Sequence, residues 1–139
     1  MNRILAVAIC ILICSGCGKI IIHPSELRRE HAAHTQFDVS DSFQAVAKKI
    51  SHKWNECQPA SFVESIVMLE DIGEARIEYR APKNNTLMML VDLHKQHNGA
   101  SQVDIYSVYA SETLPLGGPS WNVQTRTLEH GAKGLPGCP

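Results

Sequence analysis

The sequence lacks a surplus of charge of either sign, since 13 lysines and arginines stand against 14 aspartates and glutamates. It has no basic stripe with interleaved aromatic side chains, so we do not expect a nucleic acid as a partner. Internal repeats and low-complexity runs are also missing. Hydrophobic residues make up 44% and charged residues 19% of the 139 residues, which is typical of one globular domain and not of a disordered chain.

The motifs of several enzyme classes are missing as well. There is no Gly-x-Ser-x-Gly sequence for a nucleophile elbow. The glycines of "LGGPSW" precede Pro119 and indicate a turn instead of a phosphate-binding loop. Glu70 and Asp71 adjoin each other in a predicted turn, where solvated carboxylates are a simpler interpretation than an acid/base pair. We therefore expect neither catalysis nor a cofactor.

No hydrophobic run is long enough to cross a membrane as a helix. The apolar stretch from Ile4 to Cys14 is well short of the roughly 20 residues that span a bilayer. Arg3 precedes it and Ser15-Gly16 follows it, which is the pattern of a cleaved signal peptide over residues 1–16. The alternatives are an uncleaved N-terminal membrane anchor and an ordinary signal with a cysteine nearby.

The end of this signal, Cys14-Ser15-Gly16-Cys17, resembles the lipobox of bacterial lipoprotein precursors. The resemblance implies that Cys17 carries a thioether-linked diacylglycerol and that the new N-terminus is acylated. Such anchoring by more than one chain is physically sound, because each buried CH₂ group contributes about 0.8 kcal/mol. Gly18 is not the aspartate that retains such proteins in the inner membrane, so the resemblance implies the outer membrane, facing the periplasm.

Cysteine usage agrees with that compartment. Of the five cysteines, two leave with the signal and a third, Cys17, would carry lipid. Cys57 and Cys138 remain, which is the number needed for one disulfide in an oxidising compartment. The alternative is a pair of unpaired thiols.

Two of the histidine pairs have a spacing of three residues: His31 with His34, and His94 with His97. Such pairs can bind a transition metal when a third ligand is present. The glutamate of "REHAAH" precedes both histidines, so this is not a metalloprotease motif. Solvated side chains are the simpler interpretation. A periplasmic metal or small-ligand site at His94 and His97, with His130 as a further ligand, is our alternative hypothesis.

Residues 17–35 are predicted to form the lipidated N-terminus and a tether. The patch Ile20–Ile22 is expected near the lipid surface, and Ser25 is placed to cap a short helix through His34. We expect this segment to be poorly ordered and to hold the domain away from the membrane.

Residues 36–139 are predicted to form one α+β domain of two layers, with an antiparallel sheet of four to five strands and two helices. Apolar residues from Phe43 to Trp54 recur with helical spacing, and Pro59 ends that helix. The order β-α-β-β-β-β-α follows from the predicted elements: a strand at 37–39, a helix closing on Cys57, strands at 61–69, 74–80, 86–94 and 101–110, and a helix from Trp121.

The mature chain resembles small lipoproteins of proteobacteria through its initial Phe-x-Val, its helix closing on a cysteine, its four strands and its final "HGAKGLPGC". The resemblance implies the fold and the disulfide but no activity. The loop 111–120, rich in glycine and proline, is the most plausible contact surface. The sequence thus predicts a non-catalytic envelope lipoprotein, a binding or assembly module for another envelope component.

Overall fold

The computed structural model of the chain describes residues 20–58, 62–108 and 121–139. It confirms the predicted α+β fold, a single domain built on an antiparallel sheet. The predicted signal peptide, the lipidation site Cys17 and the candidate contact loop 111–120 lie outside the described residues.

Five antiparallel strands form the sheet in the order β1-β5-β4-β3-β2. A short 3₁₀ turn, Glu70–Ile72, joins β2 to β3. The elements in chain order are α1 (Pro24–Glu30), β1 (Ala33–Val39), α2 (Phe43–Cys57), β2 (Val63–Leu69), β3 (Glu74–Arg80), β4 (Leu87–Lys95), β5 (Ser101–Ser107) and α3 (Trp121–Lys133).

The expectation of a poorly ordered tether is wrong for residues 20–35. Helix α1 ends at Glu30 and does not continue through His34, and β1 begins at Ala33 and pairs with β5 along its whole length. The reason is hydrophobic burial, because Leu27 is completely buried against the sheet. The domain therefore starts before the predicted boundary at residue 36.

Helices α2 and α3 cover what we call the front face of the sheet. The apolar side of α2, which includes Phe43, Ile50 and Trp54, is buried against alternate residues of the strands. Ser42 caps this helix, since its Oγ accepts a hydrogen bond from the backbone N–H of Ala45. The two helices approach closely at Gly131, where an added Cβ would lie 2.9 Å from the Ile50 Cα.

The opposite surface of the sheet, the back face, is partly covered by α1. Leu90 of β4 joins Ile21, Leu27 and Leu87 in a second, smaller apolar cluster. Strand β4 is therefore buried on both sides over most of its length. This explains its nearly continuous apolar sequence, because a central strand covered on both faces does not alternate with polar residues.

The predicted disulfide between Cys57 and Cys138 is confirmed. It joins the last residue of α2 to the C-terminal end of the chain, across a sequence separation of 81 residues and with 5.5 Å between the Cα atoms. The bond therefore ties the segment after α3 to the neighbouring helix.

We expect the double variant Cys57→Ser/Cys138→Ser to lose about 2–5 kcal/mol of unfolding free energy, because the cross-link restricts the unfolded chain. Urea unfolding of the full chain measures this loss. A thiol reductant should lower the stability of the wild type by a similar amount and leave the double variant unchanged. Equal unfolding midpoints for both proteins without reductant would contradict the prediction.

Candidate functional site

Two aspartates lie buried side by side on the back face. Asp92 of β4 and Asp104 of β5 are directly opposite each other in the register of the two strands, and both side chains are almost fully enclosed. Like charges at opposite positions of a sheet repel each other, and a buried carboxylate needs hydrogen-bonding partners. Both aspartates therefore require donors from neighbouring elements.

Arg28 of α1 binds Asp92 with both arms of its guanidinium group. Its Nε donates to Oδ2 at 2.6 Å and its Nη2 donates to Oδ1 at 2.7 Å. The hydrogen bond to Asp92 is the main cause that raises the pKa of Arg28 above its ordinary value, against the opposing effect of burial. Paired donors of this kind give both strength and a fixed orientation, so α1 is held on the sheet in one position.

Asp104 receives its hydrogen bonds mainly from β1 and from its own strand. His34 Nε2 lies 2.7 Å from Oδ1, and Gln102 Nε2 donates to Oδ2 at 2.8 Å. Gln36, directly opposite Asp104 in β1, donates to the same Oδ2 at 3.4 Å. The N-terminal strand therefore supplies hydrogen-bonding partners to the second buried carboxylate, as α1 does to the first.

Aromatic rings close the cluster on the side of β1. Tyr106 stacks on His34 with ring centroids 4.5 Å apart, and His31 packs edge-on against both rings. Burial, followed by the charges of Asp104 and Asp92, raises the pKa of the Tyr106 phenol above its ordinary value. The phenol is therefore neutral at physiological pH and is not an activated base or nucleophile.

The contacts of these side chains hold the N-terminal segment on the sheet. We call the six residues the back-face cluster: Arg28, His31, His34, Asp92, Asp104 and Tyr106. All four carboxylate oxygens of the two aspartates already accept hydrogen bonds. The arrangement thus stabilises the position of the N-terminal segment.

The histidines of the metal hypothesis have different surroundings. His94 Nδ1 lies 3.2 Å from Glu74 Oε1 across the β3–β4 pair. His97 lies in the turn after β4 and lines a groove of about 450 Å³ with Phe43 and Gly73, among others. His130 is on α3, where its Nδ1 is buried without a hydrogen bond. Among the described residues, no group of three or more His, Cys, Asp and Glu side chains is arranged to hold a metal ion.

Strand β2 forms one edge of the sheet and exposes apolar side chains. It pairs with β3 on one side, and no other strand of the described residues pairs with its outer side. Val63 and Val67 project to the back and Ile66 to the front, and all three are exposed. An exposed apolar edge strand is a ready template for pairing with another extended chain.

Sequence reasoning missed the back-face cluster. It placed Arg28 and His34 in a tether, and it assigned no role to Asp92 and Asp104 within the predicted strands. One signal was present, because Asp92 interrupts the apolar run of β4 and a carboxylate inside a central strand needs a cationic or amide partner. The identity of that partner depends on strand register, which the sequence does not reveal.

Comparisons with known proteins add no family assignment. No protein-family model matches the chain, and no curated protein matches it significantly. Within the part of the chain that the structure describes, no helix is long and apolar enough to span a bilayer.

We expect Arg28→Ala to lower the free energy of unfolding by roughly 2–3 kcal/mol, because it leaves the buried Asp92 carboxylate without its charged donors. Arg29→Ala is the matched control: its side chain is exposed and pairs with neighbouring Glu30, so its loss should be below about 1 kcal/mol. Chemical denaturation of the two variants and the wild type measures the difference. Equal losses would show that the Arg28–Asp92 pair does not hold α1 on the sheet.

Proposed function

We propose that this protein is a non-catalytic lipoprotein of the bacterial envelope, anchored in the outer membrane through lipid on Cys17 and facing the periplasm. It acts as a binding or assembly module for another envelope protein. The partner contributes an extended polypeptide segment that pairs with the open edge of β2.

The exposed edge of β2 is the observation that carries the binding proposal. Its outer backbone groups are free of any described strand, and exposed Val63, Ile66 and Val67 flank them on both faces. An added strand gains main-chain hydrogen bonds along such an edge and buries alternate side chains on the two faces. The other edge, β1, instead exposes polar side chains toward the back, among them Gln36 and Asp38, and polar edges resist such pairing.

The arrangement of the cysteines supports the envelope location. The lipobox-like Cys14-Ser15-Gly16-Cys17 precedes a domain whose remaining cysteines, Cys57 and Cys138, are joined. Disulfides persist in the periplasm and are rare in the bacterial cytosol. For the alternative metal site at His94 and His97, the described residues provide no group of three ligands. We therefore do not propose metal binding as the function.

The anchor is tested by the intact mass of the protein extracted from its own membranes under non-reducing conditions. We expect the mass of residues 17–139 plus a diacylglycerol and a third acyl chain, less two protons for the disulfide. Cys17→Ser should abolish both the lipid and the processing. A full-length mass without lipid would refute the anchor and, with it, the location.

The β2 edge is tested by a photo-crosslinking amino acid at Val67, with Gln36 on the β1 edge as the matched control position. In cells, we expect an adduct with a second polypeptide that is several-fold more abundant from Val67 than from Gln36. Ile66→Lys, which places a charge on the edge, should remove the adduct.

Peptide mapping of the adduct identifies the partner segment, which should be extended and apolar at alternate positions. Equal adducts from both edges would refute the β2 site. An adduct made of two copies of this chain would replace the proposed partner by self-association.

A further inference from the structure

The chain enters the fold at one end of the sheet, which we call the anchor-side end. The carbonyl oxygen of Ile21 accepts a hydrogen bond from the backbone N–H of Leu87 at 2.8 Å, and that of Ile22 accepts from Arg80 Nη2 at 2.9 Å. Val63, the first residue of β2, is directly opposite Arg80 in the register. The entering segment and the start of β2 therefore lie at the same end of the sheet.

Three large apolar side chains are exposed there. Ile21 is buried in the second apolar cluster, whereas Ile20 and Ile22 on either side of it are 55% and 49% exposed and Val63 is 56% exposed. The hydrogen bonds from Leu87 and Arg80 hold the backbone of Ile21 and Ile22 in place. The side chains of Ile20 and Ile22 are therefore exposed in the folded protein. Exposed apolar groups gathered at one place mark a surface that another apolar phase covers.

The short chain between Cys17 and Ile20 indicates that the apolar phase covering this end is the lipid bilayer. Two residues, Gly18 and Lys19, separate Cys17 from Ile20, and the three extended Cα–Cα steps between the two span at most about 10 Å. A lipid on Cys17 therefore keeps the anchor-side end within about 10 Å of the bilayer surface. The opposite end of the sheet, with Gly73 and His97, is about 26 Å further along the nine residues of β4.

We infer that the anchor-side end rests in the membrane interface, with Ile20, Ile22 and Val63 among the lipid headgroups and upper acyl chains. The inference rests on the lipid anchor proposed above and deepens it by assigning the domain an orientation. The strands point away from the bilayer, and the groove lined by Gly73 and His97 faces the periplasm. Exposed Lys83 in the β3–β4 turn adds a cation that favours anionic headgroups.

A lipid surface is favoured over a protein at this end because the anchor supplies it permanently. A site joined to its ligand by a short chain experiences a high effective concentration of that ligand. The bilayer therefore competes at short range with any free partner for the same three side chains. The β2 edge runs away from this end and remains accessible beyond Val63, at Ile66 and Val67.

The test uses the full lipidated chain in vesicles of phosphatidylethanolamine and phosphatidylglycerol that contain a nitroxide-labelled phospholipid. A fluorescent amino acid replaces Val63 in one variant and Ile22 in a second. In the matched control it replaces Ile72, which is 66% exposed at the opposite end of the sheet. Nitroxide quenching reports proximity to the lipid, and formation of the disulfide reports folding of each variant.

We expect quenching at positions 22 and 63 to be at least three-fold stronger than at position 72. The intact mass of each sample separates this inference from the proposed anchor. Lipidated protein with equal quenching at the two ends, or with stronger quenching at position 72, overturns the orientation and leaves the anchor standing. Protein without lipid in its mass overturns both.

Discussion

The fold depends on hydrogen-bonding partners for two carboxylates that are buried at the centre of the sheet. Asp92 and Asp104 lie opposite each other on two interior strands of the sheet, β4 and β5, and neither strand supplies enough donors for the pair. Arg28 and His34 supply them from the N-terminal segment. Removal of that segment would leave buried charges unpaired, which costs far more than the loss of a surface ion pair. The N-terminal segment is therefore part of the domain.

This constraint changes what a lipid on Cys17 would do. Behind a flexible spacer, a domain samples many orientations over the bilayer. Here the helix that follows the proposed anchor is fixed by the paired hydrogen bonds of Arg28, and β1 continues directly into the sheet. From α1 onward, the chain is therefore part of the folded domain. An anchor joined to so rigid an element restricts which surfaces of the domain face the membrane and which face the periplasm.

The sequence predicted the elements whose periodicity is determined locally. The apolar face of helix α2, from Phe43 to Trp54, predicted this helix, and the structure contains it. The antiparallel strands and the Cys57–Cys138 disulfide were predicted as well. The segment around Arg28 was not, because its burial depends on partners more than 60 residues away. A seven-residue helix and a strand of mixed polarity give weak local signals. Their stability comes from tertiary contacts with β4 and β5.

The surfaces that the fold leaves uncovered are consistent with the proposed role. The front face is occupied by α2 and α3, and the back face is closed over β4 and β5 by α1 and the charged cluster. The apolar groups left exposed at Ile20, Ile22 and along β2 lie at one end and one edge of the sheet. The edge begins at the end nearest the proposed anchor and extends about 20 Å from it over the seven residues of β2. A partner segment paired there would run outward from the membrane surface, which suits a module that joins a membrane-bound lipid to an extended periplasmic chain.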